Sequence, residues 1–350
     1  MKKIRFVFIM LIVLSITSVA NAKEAVYPES FLDKSTDVYA LTNTSTLIVD
    51  KINNQLQVLD ISTQQPIWNK KFTALFECVI LENPLKIVVL TSEKNNLKKI
   101  TLSADGNILS QQLFSYIKIE DNQKFSWSPP TTIEKEKIVV VGNNNISLYQ
   151  YPWKKPSSTV QDILPKEIKY EVVTIKQTKL QWPYFVIKLN GDNSPQSQDF
   201  YRIVDLSNKK MMTIPVEWNI NSNFTLEGNE IVIFTSSKVG LPFGINPKVE
   251  YGVYTKYDLK TGAANMKITR SFTASDFNWR TDYVNNQLSI IDTERNTQTL
   301  LDKNGKVINE IAITTEDLYN KFIGYSNGQL FSFISTADGK AELTVNELID

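Results

Sequence analysis

Apolar residues along this chain recur every second position or in compact runs, and seldom at helical spacing. Val249, Tyr251, Val253, Thr255, Tyr257 and Leu259 alternate with Glu250, Gly252, Tyr254, Lys256 and Asp258, the pattern of a strand with one face buried and one face wet. The runs KIVVVG (137–142), EIVIF (230–234) and LKIVVL (85–90) predict strands buried on both faces. One short helix is predicted over Thr315 to Phe322, with Thr315 as its cap and Glu316 and Asp317 in its first turn.

One phrase returns along the chain: NNQLQVLD (53–60), NNLKKITL (95–102), NNISLYQY (144–151), NNQLSIID (285–292) and NGQLFSFI (327–334), with FYRIVDL (200–206) and VYTKYDL (253–259) as relatives lacking the Asn pair. Each follows an apolar strand and a turn, so the unit is an antiparallel meander. Asn serves the turns because its short polar side chain tolerates positive φ, and only 12 glycines are present. The spacing is irregular but centres in the forties, which suits a four-stranded propeller blade of about 40–50 residues and is too long for a leucine-rich or hexapeptide solenoid. The expected fold is an all-β propeller of seven four-stranded blades, with six to eight compatible. A β-sandwich with shared turn chemistry is the competing architecture. The last repeat, from near Tyr319, has room for three strands. A strand from the N-terminal residues 23–38, Ala25 to Leu32 above all, should therefore complete it and close the ring.

Residues 1–22 have the form of a secretory signal: Lys2, Lys3 and Arg5, an apolar run, then Ala20-Asn21-Ala22 with small residues where a signal peptidase requires them. The apolar stretch is about 14 residues, short of the roughly 20 that span a bilayer. The expectation is cleavage after Ala22, no stable membrane span, no lipidated Cys, and a single propeller over 23–350 in the periplasm or the medium.

The phrase LDISTQQPIW (59–68) resembles the quinoprotein-type propeller repeat, in which a strand ends in Leu-Asp, a Thr-Gly turn follows, and the next strand carries a Trp. YDLKTGAANM (257–266) keeps the Asp and the Thr261-Gly262 turn without the Trp. The resemblance implies that Trp68 docks between neighbouring blades. Catalytic members of that family bind pyrroloquinoline quinone and calcium, often beside a vicinal Cys pair. With Cys78 as its one cysteine, this chain is more similar to the non-catalytic members that serve as interaction scaffolds, and no cofactor or metal is expected.

Charge and composition narrow the chemistry. The chain has 38 Lys plus Arg against 37 Asp plus Glu, and loss of three signal-peptide cations leaves it slightly acidic, without the basic excess of a nucleic-acid binder. It has no histidine, hence no imidazole base or His metal ligand. Cys78, in FECVIL, reads as core filler. No G-x-S-x-G elbow or phosphate loop is present. The S-x-x-K matches at Ser115–Lys118 and Ser207–Lys210 fall on strand and turn, not on the helix that would bring Lys to Ser. A glycoside hydrolase needs only two carboxylates in the channel, but 37 acids nominate no pair.

The expected function is a monomeric, non-catalytic binding or scaffold module for a protein or carbohydrate partner, with the channel hydrolase as the alternative. Function is expected where insertions stretch the repeat: NGDNSPQSQD (190–199), with Asp192 and Asn193, and SKVGLPFGINPKVE (237–250), where prolines stiffen a loop exposing Leu241, Phe243 and Ile245. WPY at 182–184 reads as strand core.

Overall fold

The computed structural model describes residues 26–28, 36–63, 65–131, 134–142, 145–150, 153–163, 172–192, 198–215, 222–235, 249–272, 279–284, 287–292, 295–313, 321–326, 329–335 and 340–347. These residues form seven four-stranded sheets, each an antiparallel meander. Blade 1 is β2 (Thr36–Thr42), β3 (Ser45–Asp50), β4 (Gln55–Asp60) and β5 (Pro66–Lys71); blade 2 is β6 (Glu77–Glu82), β7 (Leu85–Glu93), β8 (Asn96–Ser103) and β9 (Ile108–Lys118). Blade 3 is β10 (Lys124–Ser128), β11 (Lys137–Val141), β12 (Asn145–Gln150) and β13 (Ser158–Gln161); blade 4 is β14 (Val172–Gln181), β15 (Tyr184–Asp192), β16 (Gln198–Asp205) and β17 (Lys210–Pro215). Blade 5 is β18 (Ser222–Glu227), β19 (Glu230–Thr235), β20 (Val249–Asp258) and β21 (Ala264–Phe272); blade 6 is β22 (Trp279–Val284), β23 (Gln287–Asp292), β24 (Thr297–Leu301) and β25 (Val307–Ala312). Blade 7 takes β26 (Lys321–Ser326), β27 (Gln329–Ser335) and β28 (Lys340–Glu347), and its outer strand is β1 (Val26–Pro28) from the other end of the chain.

β1 pairs Val26 with Glu342, Tyr27 with Ala341 and Pro28 with Lys340, the closure expected from the missing fourth strand. The ring is also closed by apolar packing. Val38, Ile48 and Leu59 of blade 1 join Phe331, Phe333 and Leu343 of blade 7 in one core cluster. Further clusters fill the joints between blades 1 and 2, 2 and 3, 3 and 4, 4 and 5, and 5 and 6. Strands β22 and β23 meet β26 at the remaining joint. First strands of adjacent blades approach one another, β6 to β10 and β10 to β14 among them, so they surround the axis and line the channel. Second strands are sandwiched: every residue of β3 and β11 is buried, as continuous apolar runs require.

The repeated phrase marks every blade, but not always the same strand. At 53–60, 95–102, 144–151, 200–206 and 253–259 it is the third strand, whereas at 285–292 and 327–334 it is the second, β23 and β27. In the sequence an Asn-Asn or Asn-Gly pair precedes both kinds of strand, which accounts for the uneven spacing. The third strand of blade 6 is β24, and it runs into Asp302, whose Oδ1 accepts the backbone N–H of Asn304 and Lys306, both at 2.8 Å. Asp60, Asp205 and Asp258 end the third strands of blades 1, 4 and 5 in the same way: Asp60 Oδ1 accepts Thr63 N–H at 2.8 Å, Asp205 Oδ1 accepts Ser207 N–H at 2.9 Å and Asp258 Oδ1 accepts Thr261 N–H at 2.7 Å. The hydroxyl of Ser62 and the Thr63 amide hold the Asp60 carboxyl below its ordinary pKa, and Thr261 does the same for Asp258.

Three sequence expectations change. β20 is not half-wet, since Val253, Tyr254, Thr255 and Lys256 are all buried; neighbouring blades cover both faces, and bulges at Gly252/Tyr254 and Lys256/Tyr257 disturb its alternation. Lys321 and Phe322, placed in a helix above, belong to strand β26, and 314–320 lie outside the described residues. Trp182 is in the turn joining β14 and β15, after which a cis peptide leads to Pro183. Its ring covers Lys137 Nζ, 3.9 Å from the ring centroid, a cation–π contact linking blades 3 and 4.

Candidate functional site

Blade joints are built from one device repeated with different side chains. Trp68 lies opposite Val58, two residues before Asp60; Met212 lies opposite Ile203, two before Asp205; Met266 lies opposite Lys256, two before Asp258. Each reaches a turn glycine of the following blade: Trp68 covers Gly106, Met212 covers Gly262 and Met266 covers Gly305. Those glycines have φ of +77°, +70° and +75°, and a Cβ at Gly305 would stand 1.9 Å from Met266 Cε, so both backbone conformation and space require Gly there. Trp68 adds an indole N–H bond to the Ala104 carbonyl at 2.7 Å, and Lys70 donates to the Gly106 carbonyl at 2.8 Å. Polar staples serve other joints. Lys99 of blade 2 pairs with Glu136 of blade 3, which also accepts the Trp127 indole N–H at 2.6 Å. At the joint between blades 4 and 5, buried Asp199 accepts the Ser222 hydroxyl at 2.7 Å and pairs with Lys188 at 3.0 Å.

Two regions remain once the joints are assigned. The first is the channel wall of blades 1 to 4. Asp37 on β2 pairs with Lys51 at 2.6 Å. Glu77 opens β6, and its Oε2 accepts the Trp127 backbone N–H at 2.6 Å. Lys179 on β14 donates to the Thr225 hydroxyl at a long 3.4 Å, and its ammonium lies 5.7 Å from the Phe224 ring centroid. Ser126 and Thr178 exchange a hydroxyl bond at 3.1 Å. Burial pushes the Glu77 carboxyl up to about 8 against the Trp127 bond and the Lys51 and Lys179 charges. Desolvation lowers the Lys179 ammonium even though Asp37 and Glu77 oppose it. Lys51 is raised because Asp37, which also accepts its hydrogen bond, outweighs desolvation. Tyr39 is raised by burial and then by Asp37, Cys78 and Glu77, and the Cys78 thiol is also pushed up by burial. Cys78, like Tyr39 and Ile80, packs against the core of the joint between blades 1 and 2.

The second region is the outer edge. β9 carries no charge from Ile108 to Ile117, and Ile108, Leu109, Leu113 and Tyr116 stand in solvent, Leu109 at 53% and Tyr116 at 58% exposure. Ile67, on the outer strand of the adjacent blade 1, is 52% exposed. The other side of β9 faces inward: Phe114 is 2% exposed and meets Trp153 edge-on at 5.0 Å. Outer strands ordinarily blunt a free edge with charge, proline or shortness, and this strand of eleven residues uses none of these before Lys118.

The loop residues favoured above fare differently. Asp192 is the last residue of β15 and pairs with Val172, and Asp199 is buried in β16, so the 190–199 segment has less free loop than its polarity suggests. Leu241, Phe243, Ile245 and Asn193 lie outside the described residues, as do Ala20 and Ala22 of the expected cleavage site. Among the described residues no group of three or more His, Cys, Asp or Glu could hold a metal ion, and no helix is long and apolar enough to cross a membrane.

No family model matches the chain, and no curated protein matches it. Solved structures with a similar course include a streptogramin B lyase (TM-score 0.48, 11% identity, 92% of this chain and 97% of that one). Hsv2 of Kluyveromyces lactis (TM-score 0.42, 10% identity, 89% and 98%) and apo AztD from Citrobacter koseri (TM-score 0.42, 10% identity, 79% and 86%) are others.

Proposed function

We propose that the chain is an exported, monomeric scaffold propeller that binds a partner protein on the outer edge of blade 2. The observation that carries this reading is the long, uncharged and solvent-exposed strand β9, with Ile108, Leu109, Leu113 and Tyr116 outward. An edge strand of this kind is a template for an added strand: its main chain supplies affinity, and pockets for alternate side chains supply selectivity. The fitting occupant is an extended, apolar segment of another exported protein. Export is supported by Lys2 to Arg5, the apolar run and Ala20-Asn21-Ala22. Kinship with non-catalytic quinoprotein-type propellers is supported by Trp68, seated on Ala104 and Gly106 of the next blade. The test is recovery of a partner on the tagged protein from the cell envelope or medium, with Leu109→Ser/Leu113→Ser as the comparison. Loss of the partner by this variant at unchanged melting temperature is expected, and retention would remove β9 from the account.

One observation favours a second reading. Glu77, which holds a proton near neutral pH, shares the channel wall with the ion-paired Asp37, the kind of unequal carboxylate pair that glycoside hydrolysis uses. Hydrolysis of aryl glycosides by the purified protein, lost in Glu77→Gln, would establish this reading in place of the scaffold.

A further inference from the structure

Bulges divide strand β9. Its register against β8 is unbroken from Ser110, opposite Thr101, to Phe114, opposite Leu97, and it slips on either side. Leu109 is left out before Ser110, and Ser115 to Ile117 are left out before Lys118 meets Asn96. The first slip is a device of the fold, since outer strands β5, β21 and β25 make the same one and leave out Ile67, Asn265 and Ile308. A bulge ends regular pairing and bends its strand, so a further strand can be added to β9 over Ser110–Phe114 alone.

That stretch, SQQLF, has neither charge nor proline. Beyond their bulges β5 carries Lys70 and Lys71, β21 Lys267 and Arg270, and β25 Glu310. β17 begins at Lys210 and ends at Pro215, and β13 and β1 have four and three residues. These are the ordinary guards of a free edge, and among the described outer strands β9 alone offers five unguarded positions in a row.

Charge returns at both ends of the stretch. Ahead of it, Lys70 donates to the Gly106 carbonyl at 2.8 Å and Lys71 is its neighbour, with Asp105 the one acid of that turn. Past it, Lys118 donates to Asn96 Oδ1 at 2.7 Å close to Lys94 of the β7–β8 turn, with Glu120 two residues on. Two cations against one acid leave each end positive. Glu93 and Glu136 are taken by Lys98 and Lys99, and Asp121 and Lys124 further on cancel.

We propose that this edge selects a partner segment of five uncharged, extended residues with a carboxylate at each end. The inference rests on the strand-addition reading of β9 and specifies the strand that is added. A charge within the five would leave water for a strip with no counter-charge, whereas carboxylates at the ends meet the cations there, which supplies selectivity and salt dependence.

The experiment uses three labelled, end-blocked peptides titrated onto the purified full chain by fluorescence anisotropy. The first is Glu-Val-Thr-Val-Thr-Val-Glu, the second has the same core between two lysines, and the third is the first with its core nitrogens methylated. Saturable binding of the Glu-flanked peptide is expected, about tenfold tighter than the Lys-flanked one at low salt, with the difference shrinking below about twofold at high salt. The methylated peptide should not bind, because an added strand is held by its main chain. Lys71→Glu with Lys94→Glu, both on the surface, should reverse the preference. Equal binding of the two flanked peptides, or an unreversed preference in that variant, would overturn the charge selection while leaving strand addition in place. Undiminished binding of the methylated peptide, or no binding by any of the three, would overturn strand addition itself and this inference with it.

Discussion

The channel wall of blades 1 to 4 and the outer edge of blade 2 are both left over from packing the ring, yet they are opposite in chemistry. On the wall, charges come in half-buried partners: Asp37 with Lys51, Glu77 with a backbone N–H and Lys179 with a hydroxyl. On the edge there is no charge over ten residues, and large side chains stand in water. The difference teaches how a propeller separates its tasks. First strands converge on an axis where each polar group must answer to several neighbours, while fourth strands have one neighbour and a free side. A substitution on the wall should therefore register in stability and pH response, and one on the free side of the edge in partner binding alone.

The largest effect should come from the inward side of the edge strand itself. Phe114→Ala removes a ring packed on Trp153 and the joint between blades 2 and 3, and should cost about 3–5 kcal/mol in urea unfolding. A loss below about 1 kcal/mol would mean that β9 is not seated as described. Gly305→Ala is expected to follow at about 1–3 kcal/mol, because its Cβ meets Met266 and its φ of +75° disfavours any side chain. A wild-type melting temperature would contradict the blade joint.

Glu77→Gln tests the wall, and its effect has a sign. The folded chain holds the Glu77 proton up to about pH 8, while an unfolded chain releases it near pH 4.3. Across that window the unfolded state binds fewer protons, so stability falls as pH rises and levels off above pH 8. The variant should match wild type near pH 4 and be more stable by about 1–2 kcal/mol at pH 9, a figure kept small because Glu77 is only half-buried and partial exposure relieves part of the desolvation cost. Parallel stability curves for the two proteins would show that Glu77 is not desolvated. Smallest of all, Leu109→Ser and Leu113→Ser should change stability by less than about 0.5 kcal/mol, in contrast to their neighbour Phe114.

The ring and its closure could be read before any coordinates, because Asn turns and buried second strands leave their mark in residue order. Asp60, Asp205 and Asp258 reveal the end of a third strand since the carboxylate there has a local task, capping the turn amides beyond it. Asp292 ends a second strand, β23, and its Oδ1 likewise accepts a backbone N–H, that of Arg295, and so the phrase at 285–292 mimicked a third strand. Trp68 was legible as a docking residue, but Met212 and Met266 were not. Methionine fills the same gap with no aromatic signature, and only the strand register shows the equivalence.

The channel and edge residues left weaker signals. Asp37, Glu77 and Lys179 come from three different blades, and no local spacing brings them together. β9 reads as a strand, and Ser115 within it was placed on one, but whether a strand ends up fourth in its blade depends on the closure of the whole ring. The polar 190–199 segment drew attention for its composition, whereas Asp199 is spent on Ser222 and Lys188 at a joint.

Hydrogen–deuterium exchange on the protein alone and with its co-purified partner measures the scaffold reading most directly. The account predicts that partner binding protects the amides of residues 108–116 on β9, with little change in the first strands β2, β6 and β14. Protection confined to the 190–199 or 237–250 segments, with β9 unchanged, would contradict it.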